Sequence, residues 1–91
     1  MKVLPDDVAA YKRTPEFTET TVPGGLLRGH STKEGTWGKI VVVEGVLGYR
    51  ILEPALEELR LDPGRPGIVE PTILHEVEPH GNVRFYVEFY R

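Results

Sequence analysis

The sequence contains no cysteine, no glutamine, one asparagine (Asn82), one serine (Ser31), one methionine and one tryptophan. Without cysteine there is no disulfide, thiol nucleophile, zinc ribbon or iron–sulfur cluster. Ser31 sits beside His30, but adjacent side chains on a strand point to opposite faces, so the pair does not make a Ser/His nucleophile. No apolar run approaches the ~20 residues that span a bilayer. Residues 1–7 carry no hydrophobic signal core. The expectation is therefore a cytoplasmic protein with no membrane partner. Lys and Arg form no cluster, which excludes a nucleic-acid footprint. Pro23-Gly24-Gly25 is not followed by the Lys-Ser/Thr pattern of a phosphate-cradling loop. Low amide content beside eleven Glu and seven Arg is the balance of a heat-stable protein.

What remains is a chain of 91 residues, enough for one domain over 1–91, with residues 1–10 as an extended arm. Net charge is −3, and ten Gly with eight Pro give many turns for so short a chain. That balance favours short strands over long helices. Residues 17–22 alternate and are rich in Thr, which predicts an edge strand ended by the turn at Pro23-Gly24-Gly25. Residues 26–30 read as a short strand. Residues 39–44 carry four successive β-branched side chains and give the strongest strand signal. Gly45 then breaks the run, and 46–52 reads as its hairpin partner. Residues 59–61 and 68–70 read as partners across the Asp62-Pro63-Gly64 turn. Residues 75–78 form another strand, with a turn at Pro79-His80-Gly81-Asn82. Residues 83–90 alternate, with Val83, Phe85, Val87 and Phe89 on one face. Seven to nine short strands at this spacing predict an all-β sandwich or barrel.

Three histidines are available for chemistry. Alternation places His75 on the face of Val77, so if Val77 is interior, His75 is a buried imidazole that needs a partner. That partner is a metal, a carboxylate or a water. His80 lies in a turn and is read as solvent-exposed. Trp37, flanked by Gly35 and Gly38, reads either as a core anchor or as the wall of a ligand site.

From Gly64 onward the spacing Gly64, Pro71, His75 is similar to the second motif of cupins, in which the His reaches the pocket. Two segments extend the likeness. Residues 30–39 (His-Ser-Thr-Lys-Glu-Gly-Thr-Trp-Gly-Lys) and the pair Val69-Glu70-Pro71 with His75-Glu76-Val77-Glu78 resemble the signature of the TehB/YeaR-like cupin-like domain family. Tyr11-Lys12-Arg13-Thr14-Pro15 extends the resemblance to about residues 11–91. It implies a cupin-like double-stranded β-helix, a small barrel of antiparallel strands. In the TehB branch this domain precedes a methyltransferase, for which the sequence has no counterpart, so no methyltransferase activity is expected.

The resemblance implies a small binding protein whose barrel takes a small molecule, an oxyanion or a metal. In the metal version His30 and His75 are ligands, Glu70 or Glu88 adds an oxygen, and the ion is a divalent metal such as zinc or nickel. In the metal-free version Arg28, Lys33, Lys39 and Trp37 line the barrel mouth around an anion. The alternatives are a small metal-dependent cupin enzyme, whose full ligand triad is not found among these residues, and a metal-free structural or interaction module. Ile40 to Val43 is apolar on both faces while a barrel has one interior, so the second face is expected to be covered in a homodimer.

Overall fold

A computed structural model describes residues 1–91. The chain is all-β, with no α-helix. It forms β1 (Ala10–Arg13), β2 (Phe17–Thr18), β3 (Trp37–Ile51), β4 (Glu57–Leu61), β5 (Gly67–Val69) and β6 (His75–Tyr90), with one 3-10 turn at Gly24–Leu27. No helix is long and apolar enough to cross a membrane.

All pairing is antiparallel, and the spine is the β3–β6 ladder. It runs from Trp37 opposite Tyr90 to Ile51 opposite His75. The free edge of β3 takes β5 against Gly38–Ile40 and β4 against Leu47–Ile51. The free edge of β6 takes β1 near Glu88 to Tyr90 and β2 at Arg84 and Phe85. Two long strands, each shared by two short neighbours, thus replace the seven to nine short strands expected.

The hairpin expected across Gly45 is absent, because β3 runs straight through it. The break in the pattern is a bulge, with register slips between Val42 and Glu44 and between Glu44 and Val46. Gly45 adopts φ +86°, and a Cβ there would stand 2.2 Å from the Asn82 carbonyl oxygen. Only glycine fits this close crossing of β6. The bulge also changes parity. Gly38, Ile40 and Val42 point inward before it, Leu47 and Tyr49 after it. A slip of one residue exchanges the faces of everything beyond it.

Other local expectations are corrected in the same way. The turn expected at 79–82 is part of β6, with Gly81 taking φ +77°. The 17–22 strand stops at Thr18, because the Thr18 carbonyl accepts from the amides of Thr21 and Val22, and the Thr21 hydroxyl accepts from the Thr18 amide. These local bonds give the backbone an alternative to the ladder. Residues 26–30 form no strand; the 3-10 turn takes Leu26 and Leu27. β4 and β5 pair with β3 rather than with each other, and a single bridge between Asp62 and Arg65 spans the turn that joins them.

The core lies on one face and includes Ile40, Leu47, Tyr49, Leu61, Val69 and Phe85. Val83, Phe85 and Val87 are buried along β6, as alternation requires, and Phe89 packs at the margin. Fully burying such a side chain is worth about 1.5–3 kcal/mol.

Candidate functional site: a histidine pair in an apolar cavity

The inner face holds a cavity of about 280 Å³, partly open to solvent. Its walls are apolar side chains from β2, β3, β5 and β6, among them Phe17, Ile40, Val69, Phe85 and Phe89. The 3-10 turn contributes Leu26 to the rim. No Asp, Glu, Lys or Arg lines it. Its polar side chains are Thr14, Thr32, His30 and His75.

His75 is 4% exposed and Val77 beside it on the same face is 3% exposed. It opens β6 after a loop in which Thr72 holds φ 67°. That loop is pinned at three places: the Thr72 amide donates to the Thr32 carbonyl, the Leu52 amide to the Leu74 carbonyl, and the Leu74 amide to Glu53 Oε1 at 3.0 Å. His30 and His75 exchange both backbone hydrogen bonds, each 2.8 Å. Residues paired this way carry their side chains on one side of the sheet. The two imidazoles accordingly meet edge to face with centroids 5.3 Å apart. Behind them the Tyr49 ring stands 5.9 Å from His75 and its hydroxyl donates to the Ile68 carbonyl at 2.8 Å.

The electrostatics favour the neutral form of His75. Burial pushes the His75 pKa below 6.5, and a charge on His30 would lower it further, against a smaller opposing effect of the Ile73 carbonyl. That carbonyl lies 3.2 Å from His75 Nδ1. A carbonyl oxygen only accepts, so the proton belongs on Nδ1 and Nε2 keeps its lone pair. His30 Nδ1 is buried with no hydrogen-bond partner. Burial also raises the Tyr49 pKa, so its phenol remains protonated.

Of the residues singled out from the sequence, His30 and His75 come together, while the rest lie elsewhere. Arg28 and Lys33 are exposed in the loop leading to β3. Trp37 and Lys39 sit on the outer face, because Gly38 and Ile40 take the inward positions of β3. Trp37 is half-buried opposite Tyr90 and lines neither the histidine cavity nor the Glu70 cleft, so it is not an anchor of the core and forms no wall of this site. Glu88 is also on the outer face. It accepts from the Tyr90 hydroxyl at 2.6 Å and from the Arg13 guanidinium at 3.0 Å. Those bonds, Tyr90 first, lower its pKa, and in return Tyr90 is pushed up to about 12. Glu70 lines a second cleft of about 290 Å³ with Glu53, Glu57 and Met1. The basic residues expected around an anion therefore do not line the cavity.

The metal reading finds too few donors. No group of three or more His, Cys, Asp or Glu side chains comes together that could hold an ion. Catalytic zinc takes three protein ligands, and two imidazoles in an apolar wall do not fit that demand. Sequence reasoning missed Thr14, Thr32 and Leu26 as lining residues. Each lies in an irregular segment, where no periodicity marks a face.

The fold and site define an antiparallel β domain with one apolar cavity and a paired histidine in its wall. The TehB-like domain is matched over residues 12–87, and the chain belongs to that family. A probable S-adenosyl-L-methionine-dependent methyltransferase TehB from Haemophilus influenzae (strain ATCC 51907) is 30% identical over 79 residues. The match takes in 82% of this chain and 28% of that protein. The protein of the same description from strain 10810 is 29% identical over the same length, again with 28% of it covered. This chain thus spans under a third of the curated relatives it matches. The crystal structure of TehB from Haemophilus influenzae superposes with a TM-score of 0.85 at 30% identity, covering 93% of this chain and 32% of that one. A crystal structure of an Escherichia coli K12 protein gives 0.89 at 19% identity, covering 100% and 97%, a likeness of fold alone.

Proposed function

We propose that this TehB-like domain is a small-molecule-binding module, a cupin-like double-stranded β-helix whose interior holds one compact, mainly apolar ligand. One observation carries the reading: His75, 4% exposed, lines an apolar cavity with Nδ1 held at the Ile73 carbonyl and no protein hydrogen bond at Nε2. Buried polar groups are normally satisfied, so a ring nitrogen without a protein partner beside a cavity leaves room for a molecule that satisfies it. The size supports it as well. An aliphatic cavity of about 150 Å³ takes one benzene, so about 280 Å³ takes a substituted ring.

An oxyanion fits this cavity poorly. Burying a charge without a counter-charge is costly, and Arg28, Lys33 and Lys39 all lie outside. The methyltransferase activity in the relatives' names is not carried over, because the match reaches only 28% of their length.

The test is an amide NMR titration with p-xylene. Saturable shifts at Ile40, Val69, Val77 and Phe85 are expected. Absence of saturable shifts there overturns the reading. Saturable shifts with inorganic phosphate around Arg28, Lys33 and Lys39 would instead favour the anion site expected from the sequence.

A further inference from the structure

We infer that the cavity selects a neutral aromatic alcohol of the phenol class, its hydroxyl donating to His75 Nε2 while its ring lies among Phe17, Phe85 and Phe89. The inference rests on the cavity being a ligand site, as proposed above, and adds what the ligand must offer.

The tautomer sets the demand. The Ile73 carbonyl, 3.2 Å from Nδ1, takes the only proton of a neutral imidazole, so Nε2 is an acceptor. Burial, which keeps His75 neutral, acts in the same direction. A ligand that meets this nitrogen must bring a proton. A carboxylate brings none, and it would be a buried anion with no cation lining the cavity. An ammonium group brings protons, but no carboxylate lines the cavity to balance its charge.

The His30 ring lies edge to face against that of His75, but its Nδ1 has no exposed surface and is not a partner for the ligand. A neutral hydroxyl donates its proton to His75 Nε2 and buries no charge. The apolar walls account for the rest of the molecule. Aromatic rings of Phe17 and Phe85 already stack edge to face at 5.7 Å, an arrangement that a ligand ring extends.

The experiment compares p-cresol with p-xylene, which has nearly the same shape and no hydroxyl. Affinities come from the NMR titration, with the imidazole nitrogens followed in protein carrying 15N-labelled histidine. One added buried hydrogen bond predicts about fivefold tighter binding of p-cresol. In the free protein the His75 Nε2 resonance is expected at the position of an unprotonated nitrogen, and it moves on addition of p-cresol. In His75→Phe, which keeps a ring, the preference falls to near unity. Equal binding of both probes leaves the cavity standing and overturns the hydroxyl inference. So does an Nε2 that is protonated in the free protein. Binding of neither probe overturns the cavity reading and this inference with it.

Discussion

His30 and His75, far apart in sequence, exchange both of their backbone hydrogen bonds at 2.8 Å, and this one bridge sets two imidazoles edge to face in an apolar wall. His30 belongs to no strand of its own. Its backbone is held by the first residue of β6. A change that loosens the loop before His75 therefore disturbs both rings together.

Stability is expected to fall with pH below neutrality through His75. Its folded pKa is lowered from 6.5, with burial the main cause, the Ile73 carbonyl opposing it in part and a charge on His30 adding to it. Above 6.5 both states hold it neutral and it costs nothing. Below 6.5 the unfolded chain takes up a proton that the folded chain refuses, so stability declines until the folded pKa is reached. The slope from this group is at most about 1.4 kcal/mol per pH unit. Urea midpoints at pH 7.5 and 5.5 measure it, with His75→Phe expected to show a smaller drop between them.

Tyr49→Phe removes the hydroxyl that donates to the Ile68 carbonyl. The loss is expected to be about 1–2 kcal/mol, the usual range for a deleted buried hydrogen bond. Urea unfolding reads it. A midpoint equal to wild type would show that water replaces the hydroxyl at no cost.

Gly45→Ala meets both a positive φ of 86° and a main-chain oxygen at 2.2 Å. Backbone strain alone costs about 1–3 kcal/mol, and the clash adds to it. The expected outcome is a loss above about 3 kcal/mol or failure to fold, read by circular dichroism and thermal melting. An unchanged melt would mean that the bulge has moved along the strand.

Trp37→Ala is expected to cost about 1–2 kcal/mol. The ~3–5 kcal/mol typical of a buried aromatic does not apply to a half-buried side chain on the outer face. Melting temperatures decide between the two ranges.

The homodimer expected from the sequence is proposed to use the outer face, where Trp37, Val41 and Tyr86 are half-buried and Val43 is 37% exposed. Sedimentation at micromolar concentration is expected to give twice the 10.2 kDa chain mass. Val43→Glu is expected to shift it toward one chain. A wild-type monomer ends the proposal.

Alternation made residues 83–90 legible, because period two in a half-buried strand is set locally by side chains. The same rule placed His75 with Val77. At Trp37 size points to the core, whereas its position next to an inward Gly38 puts it on the outer face. The local reading fails at Gly45. There a local breaker looks the same whether the chain turns back or bulges past a partner, and the partner is Asn82, far along the chain. The pairing of His30 with His75 has no local signal either, because a single bridge leaves no periodic trace. Only the resemblance of residues 30–39 to a family signature points to it.

The β3–β6 ladder has a kinetic consequence. Even its closest pair in sequence, Ile51 with His75, is separated by all of β4 and β5. The chain cannot zip this ladder from a tight turn. It must first close a loop holding two whole strands, an entropic cost met before any ladder bond rewards it. Such non-local topologies fold in milliseconds to seconds rather than microseconds. The register that completes the histidine pair is also the one that closes this loop, so substitutions at Ile51 should slow folding, whereas those near Trp37 and Tyr90 should mainly speed unfolding.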